Sequence, residues 1–157
     1  MAVVKKAGAD HVVNYREPDW PVQVRKLTPK GQGVDIVYDP VGLVDPSLKC
    51  TAWNGRIVVV GFAAGSIEKV AMNRILLKNV SLVGLHWGAY LKNQPKRVPE
   101  VWSALLPLLE QQQLMPHVYP QIFDGLGQVA DALEAIASRK SYGKVVVRVA
   151  ELNAAKL

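Results

Sequence analysis

The string GVDIVYDPVG, residues 33–42, is a β-branched run that ends in a proline- and glycine-bearing turn. It predicts a strand over residues 33–38, followed by a turn in which proline fixes φ and glycine relieves crowding. A second run, GRIVVVGF at residues 55–62, predicts a strand over residues 56–60 that leaves into the glycine-bearing loop 61–65. Buried strands separated by helical segments indicate a parallel α/β sheet, whose ligands gather at the carboxyl ends of the strands.

The rest of the chain continues this alternation. A helix is predicted to stop at Gly8, because glycine adopts the left-handed conformation without strain. Further strands are predicted at residues 11–15, 80–85, 118–123 and 144–149, and further helices at residues 22–27, 46–53, 72–77, 101–114 and 126–137. The polar, proline-bearing residues 91–99 predict a hinge, which gives domains at 1–97 and 98–157, and Pro107 predicts a kink in its helix.

Composition excludes several functional classes. The 157 residues contain no apolar run of membrane-spanning length, so we expect a cytoplasmic protein, with the mitochondrial matrix as the alternative. A single cysteine, Cys50, permits neither an internal disulfide nor a thiolate zinc cluster, and His11 and His117 have no partners at metal-ligand spacing. The net charge of +6 is spread over basic runs no longer than two, which argues against nucleic-acid binding.

Four blocks of sequence, in order, carry a family resemblance. They are AGADHVVNY at residues 7–15, GVDIVYDPVG at 33–42, GRIVVVGF at 55–62 and YGKVVV at 142–147. Together they resemble the quinone oxidoreductase and ζ-crystallin branch of the zinc-independent medium-chain dehydrogenase/reductases, in particular the quinone oxidoreductase-like proteins. The resemblance runs from about residue 3 to residue 149.

The resemblance implies a partial Rossmann fold, a doubly wound parallel sheet of strand order 3-2-1-4-5-6. The chain starts after the family's second strand and contains no Gly-x-Gly-x-x-Gly or Gly-Gly-Val-Gly stretch, so the first two strands and the phosphate loop are expected to lie outside it. The C-terminal segment is expected to return to the substrate domain. Strand 4 would then be an exposed edge, separated from strand 3 by a gap of roughly 10 Å, so strand 3 would re-pair or drift.

The cofactor that the resemblance implies is NADPH. The residues that match the family's cofactor contacts are Tyr15, Val60, Gly61, Phe62, Ala63, Leu85, His86, Trp87 and Lys144. Tyr15 would meet the 2′-phosphate, residues 60–63 and 85–87 would meet the nicotinamide end, and Lys144 would favour phosphate. Each has a plain alternative: a strand-end tyrosine, a strand-to-loop turn, a surface lysine. For His86, a backbone contact is favoured over general-acid catalysis, and Asp39 is expected to orient its loop.

The implied activity is hydride transfer from NADPH to a quinone or enone-type carbonyl acceptor, a small molecule, with no catalytic residue and no metal supplied by this chain. Without the first two strands, the isolated chain is expected to bind NADPH weakly or not at all, and to be weakly active or inactive alone. The alternative is a non-catalytic interaction module that pairs through its sheet edge with a full-length relative or with itself, and a homo-oligomer is possible.

Overall fold

The computed structural model describes residues 2–149. A parallel sheet of order β1-β2-β3 occupies the first part of the chain. Its strands are β1 (Val34–Asp39), β2 (Thr51–Val59) and β3 (Ser81–Gly84). Because consecutive parallel strands need crossovers, a helix lies between each pair. This arrangement confirms the α/β, parallel-sheet class.

Seven α-helices lie within residues 2–149, and most of them are short. They are α1 (Ala2–Lys6), α2 (Trp20–Lys26), α3 (Val44–Cys50), α4 (Met72–Lys78), α5 (Tyr90–Asn93), α6 (Arg97–Glu110) and α7 (Val129–Ala137). Gly8, two residues after the end of α1, has φ +102°, in agreement with the helix stop predicted there. Among residues 2–149, no helix has both the length and the hydropathy needed to cross a membrane.

The core lies on the face of the sheet that α3 and α4 cover. Its buried residues are Val44, Leu48, Ile57 and Val80, and the partly buried Val37, Val59, Val70 and Ile75 pack against them. Alternate strand residues point to opposite faces of a sheet, so Val37 of β1 and Ile57 and Val59 of β2 face this core. Ile36 and Tyr38, on the other face of β1, are 67% and 68% exposed.

The helix predicted over residues 46–53 is wrong at its end. It stops at Cys50, and Thr51 to Trp53 belong to β2. The Thr51 side chain donates a hydrogen bond to the carbonyl of Ser47 at 2.7 Å, which closes the helix. Strand pairing is irregular here, because it passes from Val34 with Thr51 to Ile36 with Arg56. The additional residues on β2 form a bulge that includes Asn54 at φ 61°.

The strand predicted at residues 11–15 is also wrong. Residues 11–14 have no regular secondary structure, and Tyr15 starts a turn. A β-branched run becomes a strand only when a neighbouring strand satisfies its backbone groups. No strand of the described part pairs with this run, so it stays irregular.

The contacts divide the chain into two units, Met1–Val101 and Trp102–Leu157. In the second unit, β4 (Val118–Asp124) and β5 (Lys144–Arg148) pair in parallel, with α7 between them in sequence. The predicted hinge at 91–99 contains α5 and the start of α6, and α6 continues through Pro107. The predicted domain boundary at residues 97/98 stays a prediction.

Candidate functional site

The loops that follow β1 and β2 are joined by backbone hydrogen bonds. Val60 N–H donates to the Asp39 carbonyl at 2.9 Å, which extends the strand pairing by one step. Beyond it, Ala63 N–H donates to Pro40 and Ala64 N–H to Val41, both at 3.0 Å. The turn after β1 therefore fixes the path of the loop after β2.

That turn is organised by one buried carboxylate. Asp39 is 4% exposed. Its side chain accepts hydrogen bonds from the N–H groups of Val41 and Gly42, each at 2.9 Å, and from Leu43 at 2.7 Å. Three backbone donors can offset the cost of burying the charge. Asp39 thus orients its loop, as the sequence predicts.

A second carboxylate occupies the start of α3. Glu68 accepts hydrogen bonds from Val44 N–H at 2.5 Å and from Asp45 N–H at 3.3 Å. Asp45 in turn forms an ion pair with Arg74 at the start of α4. The Glu68 carboxylate therefore occupies the N-terminal end of α3, where the partial positive charge of the helix would otherwise be open to a phosphate.

A cavity of about 600 Å³ lies at the carboxyl ends of β2 and β3. It is lined by Val59, Val60, Gly61, Phe62, Gly84, Leu85 and His86. Five residues of the predicted cofactor site, Val60, Gly61, Phe62, Leu85 and His86, therefore come together there. Ala63 and Trp87 follow these residues in sequence but do not line the cavity.

Gly84 is a cavity residue that the sequence did not indicate. A Cβ built on it would have no neighbour within 4 Å, so it borders open space. Its place at the end of the predicted strand 80–85 was the available signal, because ligands bind where parallel strands end.

Several backbone groups along the cavity have no backbone partner among the residues that the structure describes. Within residues 2–149, no backbone hydrogen bond engages the N–H of Gly61, Phe62 or His86, or the carbonyl of Val60 or Leu85. The cavity thus presents both donors and acceptors to a ligand, between apolar side chains.

Two predicted site residues lie elsewhere. Tyr15 lines a separate cavity of about 280 Å³ together with Trp20 and Asp39, and is 48% exposed. Lys144 begins β5 in the second unit, where its N–H donates to the His117 carbonyl at 2.8 Å. The roles proposed for both residues stay predictions.

The groups with shifted pKa values stand away from the 600 Å³ cavity. Burial raises the pKa of the Cys50 thiol, although the nearby Lys78 acts against this. Burial, and then Arg25, lowers the pKa of Lys78. The Lys78 ammonium donates to the carbonyls of Leu48 at 2.5 Å and Thr51 at 2.9 Å, so its position is explained by the end of α3.

Comparison with known families supports the sequence resemblance. The family described as "Zinc-binding dehydrogenase" matches residues 1–111, more than half of the chain. The chain belongs to this family. Among residues 2–149, however, no three His, Cys, Asp or Glu side chains come together as a metal site.

Curated relatives place the chain in the quinone oxidoreductase-like branch. It is 36% identical to the quinone oxidoreductase-like protein 2 homolog of Nematostella vectensis and 39% identical to quinone oxidoreductase-like protein 2 of Bos taurus. These matches cover 94% and 90% of this chain but 40% of each relative. The chain thus spans about two fifths of the length of these relatives.

Solved structures with a similar fold include oxidoreductases. A mycobacterial protein complexed with NADPH superposes with a TM-score of 0.79 at 28% identity, over 94% of this chain and 46% of that one. A probable oxidoreductase from Mycobacterium abscessus superposes at 0.76 with 33% identity, over 94% and 42%. This chain therefore has the fold of the part of these oxidoreductases that it matches.

Proposed function

We propose that this chain provides the nicotinamide end of the cofactor cleft in an NADPH-dependent oxidoreductase. The observation that carries the proposal is the 600 Å³ cavity in which Val60, Gly61, Phe62, Leu85 and His86 meet. It lies at the carboxyl ends of two parallel strands, where α/β folds bind ligands. The relative solved with NADPH supports the choice of cofactor.

The residues present fit the nicotinamide group. Its carboxamide needs both a donor and an acceptor, and the unpaired N–H groups of Gly61, Phe62 and His86 lie close in sequence to the unpaired carbonyls of Val60 and Leu85. Gly84, where a Cβ would meet nothing within 4 Å, lets a flat ring approach the backbone closely. Bound nicotinamide supplies the hydride.

The side chains of this cavity position the ring and exclude water. Phe62 and Leu85 are apolar and form walls, so a hydride donor and its acceptor can stack face to face without solvent between them. His86 contributes through its backbone, and no proton transfer is assigned to its imidazole.

The phosphate end of the cofactor is assigned to other residues. The Tyr15 hydroxyl would donate to the 2′-phosphate, which favours NADPH over NADH, and Lys144 would add a positive charge near the cleft. Ala63 and Trp87 are assigned to the nicotinamide end, because they continue the loops after β2 and β3 that line the cavity. The Asp39 turn and the Glu68-capped helix leave no free backbone cradle for the pyrophosphate at α3, so the isolated chain should hold NADPH weakly.

The proposed acceptor is a quinone or an enone-type carbonyl compound. Relatives named as quinone oxidoreductases include a probable enzyme of Leishmania amazonensis, 31% identical over 93% of this chain. Hydride transfer between two flat partners depends mainly on their orientation, so this chemistry requires no nucleophile from the cavity.

The test is a nitrogen-15 NMR titration of the chain with reduced nicotinamide mononucleotide and, separately, NADPH. We expect the amide signals of Gly61, Phe62 and His86 to shift with millimolar affinity for the mononucleotide. NADPH should shift Tyr15 as well. Unchanged signals at these three amides, or changes confined to other residues, would refute the nicotinamide site. Micromolar or tighter binding of NADPH would refute the predicted weakness.

A second candidate function is the non-catalytic interaction module. The free edge of β1, which no strand of residues 2–149 covers, favours it. Light scattering and an NADPH turnover assay together distinguish the two candidates. A stable homo- or heterodimer without NADPH turnover supports the module.

A further inference from the structure

The loop after β2 is long and contains neither helix nor strand. It spans residues 60–71, between the end of β2 and the start of α4, and its first residues line the 600 Å³ cavity. A loop of this kind samples many conformations unless contacts fix it, and ordering it only when a ligand binds lowers the affinity. The cavity wall at Gly61 and Phe62 therefore depends on the contacts that hold this loop.

The first half of the loop is held mainly through its backbone. The N–H groups of Ala63 and Ala64 donate to the turn after β1, and the Phe62 ring lies against Gly42, where an added Cβ would come within 3.1 Å of it. Ala63 and Ala64 are exposed, however. Water competes for hydrogen bonds at exposed residues, so such bonds open locally at little cost.

The second half of the loop is held by one hydrogen-bonding side chain. Glu68 Oε2 accepts hydrogen bonds from Val44 N–H at 2.5 Å and from Asp45 N–H at 3.3 Å. Among residues 2–149, these are the side-chain hydrogen bonds that the loop 60–71 makes. Glu68 is half-buried, whereas Ile67 and Lys69 on either side of it are exposed. Between the exposed amides of the first half and Val70, which packs against the core, Glu68 thus fixes the path of the loop.

Two carboxylates share one run of backbone donors. Asp39 accepts from the N–H groups of residues 41–43, and Glu68 accepts from those of residues 44 and 45. Asp39 belongs to β1, whereas Glu68 belongs to the loop after β2. The segment 41–45 is therefore held by the strand and by the loop together, and the loop gains the rigidity of a buried turn.

We propose that Glu68 is a positioning residue for the nicotinamide end of the cofactor cleft. By accepting from the start of α3, it holds the loop so that the backbone of Gly61 and the ring of Phe62 keep their places in the cavity wall. Glu68 does not line the cavity, so it acts through the loop and not by touching the ligand. Both of its hydrogen bonds end on one oxygen, so the role requires an acceptor oxygen rather than a negative charge. The inference rests on the proposed function, because it concerns the same cavity.

The experiment compares the wild type with Glu68→Ala and Glu68→Gln in the NMR titration with reduced nicotinamide mononucleotide. Glu68→Ala should weaken the affinity at least fivefold, because the loop must then be ordered when the ligand binds. Glu68→Gln keeps a carbonyl oxygen and should stay within twofold of the wild type. Hydrogen exchange in the free proteins is the second readout. The amides of Ala63 and Ala64 should exchange at least tenfold faster in Glu68→Ala and at an unchanged rate in Glu68→Gln.

Asp45→Ala is the matched control. It removes the ion pair with Arg74 at the same end of α3, but it keeps the backbone N–H that donates to Glu68. Its affinity should stay within twofold of the wild type. Melting temperatures check that all variants fold. If Glu68→Ala does not fold, Glu68→Asp decides in its place, because it keeps the charge but is one methylene too short to reach Val44 N–H.

Four results would overturn the positioning role. They are an unchanged affinity in Glu68→Ala, an equal loss in Glu68→Gln, an equal loss in Asp45→Ala, and unchanged exchange at the two alanine amides. A wild type whose cavity amides do not shift would overturn the proposed function and this role together. A wild type that binds the mononucleotide, beside a Glu68→Ala variant that binds it equally well, would overturn this role alone.

Discussion

The carbonyl oxygen of Pro40 accepts a hydrogen bond from the backbone N–H of Ala63 at 3.0 Å. This contact joins the turn after β1 to the loop after β2, and the same loop lines the 600 Å³ cavity. Gly61 is part of this packing, since a Cβ on it would come within 3.1 Å of the Pro40 carbonyl. The shape of the cavity therefore depends on the turn that Asp39 organises.

Replacing Asp39 with Ala should destabilise the first unit by about 3 kcal/mol, because three buried N–H groups lose their acceptor. Asp39→Asn, which keeps one carbonyl oxygen, should cost about half as much. Urea denaturation followed by circular dichroism measures both. The exposed Asp35, on the same strand, is the control: Asp35→Asn should stay within about 0.5 kcal/mol. Equal effects at the two positions would contradict the role given to Asp39.

Gly84→Val tests the cavity without disturbing the fold. The new side chain meets no atom within 4 Å at its Cβ and extends into the space proposed for nicotinamide. The affinity for reduced nicotinamide mononucleotide should fall at least tenfold in the NMR titration, while the melting temperature changes by less than about 4 °C. Gly127→Val, another open glycine but in the second unit, is the control. An unchanged affinity in Gly84→Val would move the ligand away from this cavity.

A pair of glycines separates backbone strain from steric clash. Gly8 and Gly33 have φ of +102° and +101°, but a Cβ at Gly8 meets nothing, whereas at Gly33 it would lie 2.4 Å from the Cys50 carbonyl. Gly8→Ala should cost about 1–2 kcal/mol through conformation alone. Gly33→Ala should cost at least about 2 kcal/mol more, since β1 and α3 must separate. Thermal unfolding of both variants gives the difference, and similar costs would show that the approach of Gly33 to α3 is not tight.

The Cys50 thiol should react slowly with iodoacetamide in the native protein, because it is 2% exposed and burial raises its pKa. The unfolded chain ionises this thiol at lower pH than the folded chain. The folded chain therefore holds the thiol proton more tightly, and this stabilises the folded state. The stabilisation is complete below the unfolded pKa of about 8.5 and is lost as pH rises through the folded pKa. Mass spectrometry of alkylation with and without urea provides the measurement. Comparable rates in both conditions would mean that the thiol is accessible.

The sequence by itself determined the parallel α/β class, the strands at β1, β3, β4 and β5, and the family. These features depend on local patterns: β-branched runs, glycine stops, and four sequence blocks in order. It also indicated most of the cavity residues, because strand ends in parallel sheets converge on one edge. The resemblance, rather than periodicity, suggested which of these ends would face a nicotinamide.

The tertiary structure alone decided the remaining features. Whether residues 11–14 form a strand depends on a neighbour to pair with, and none of the described strands provides one. The early end of α3 depends on the contacts of Thr51, and the Glu68 cap joins residues 24 apart in sequence. Gly84 became a cavity residue only when β2 and β3 lay side by side. Such contacts depend on groups distant along the chain, and a local pattern contains no information about which distant group will satisfy it.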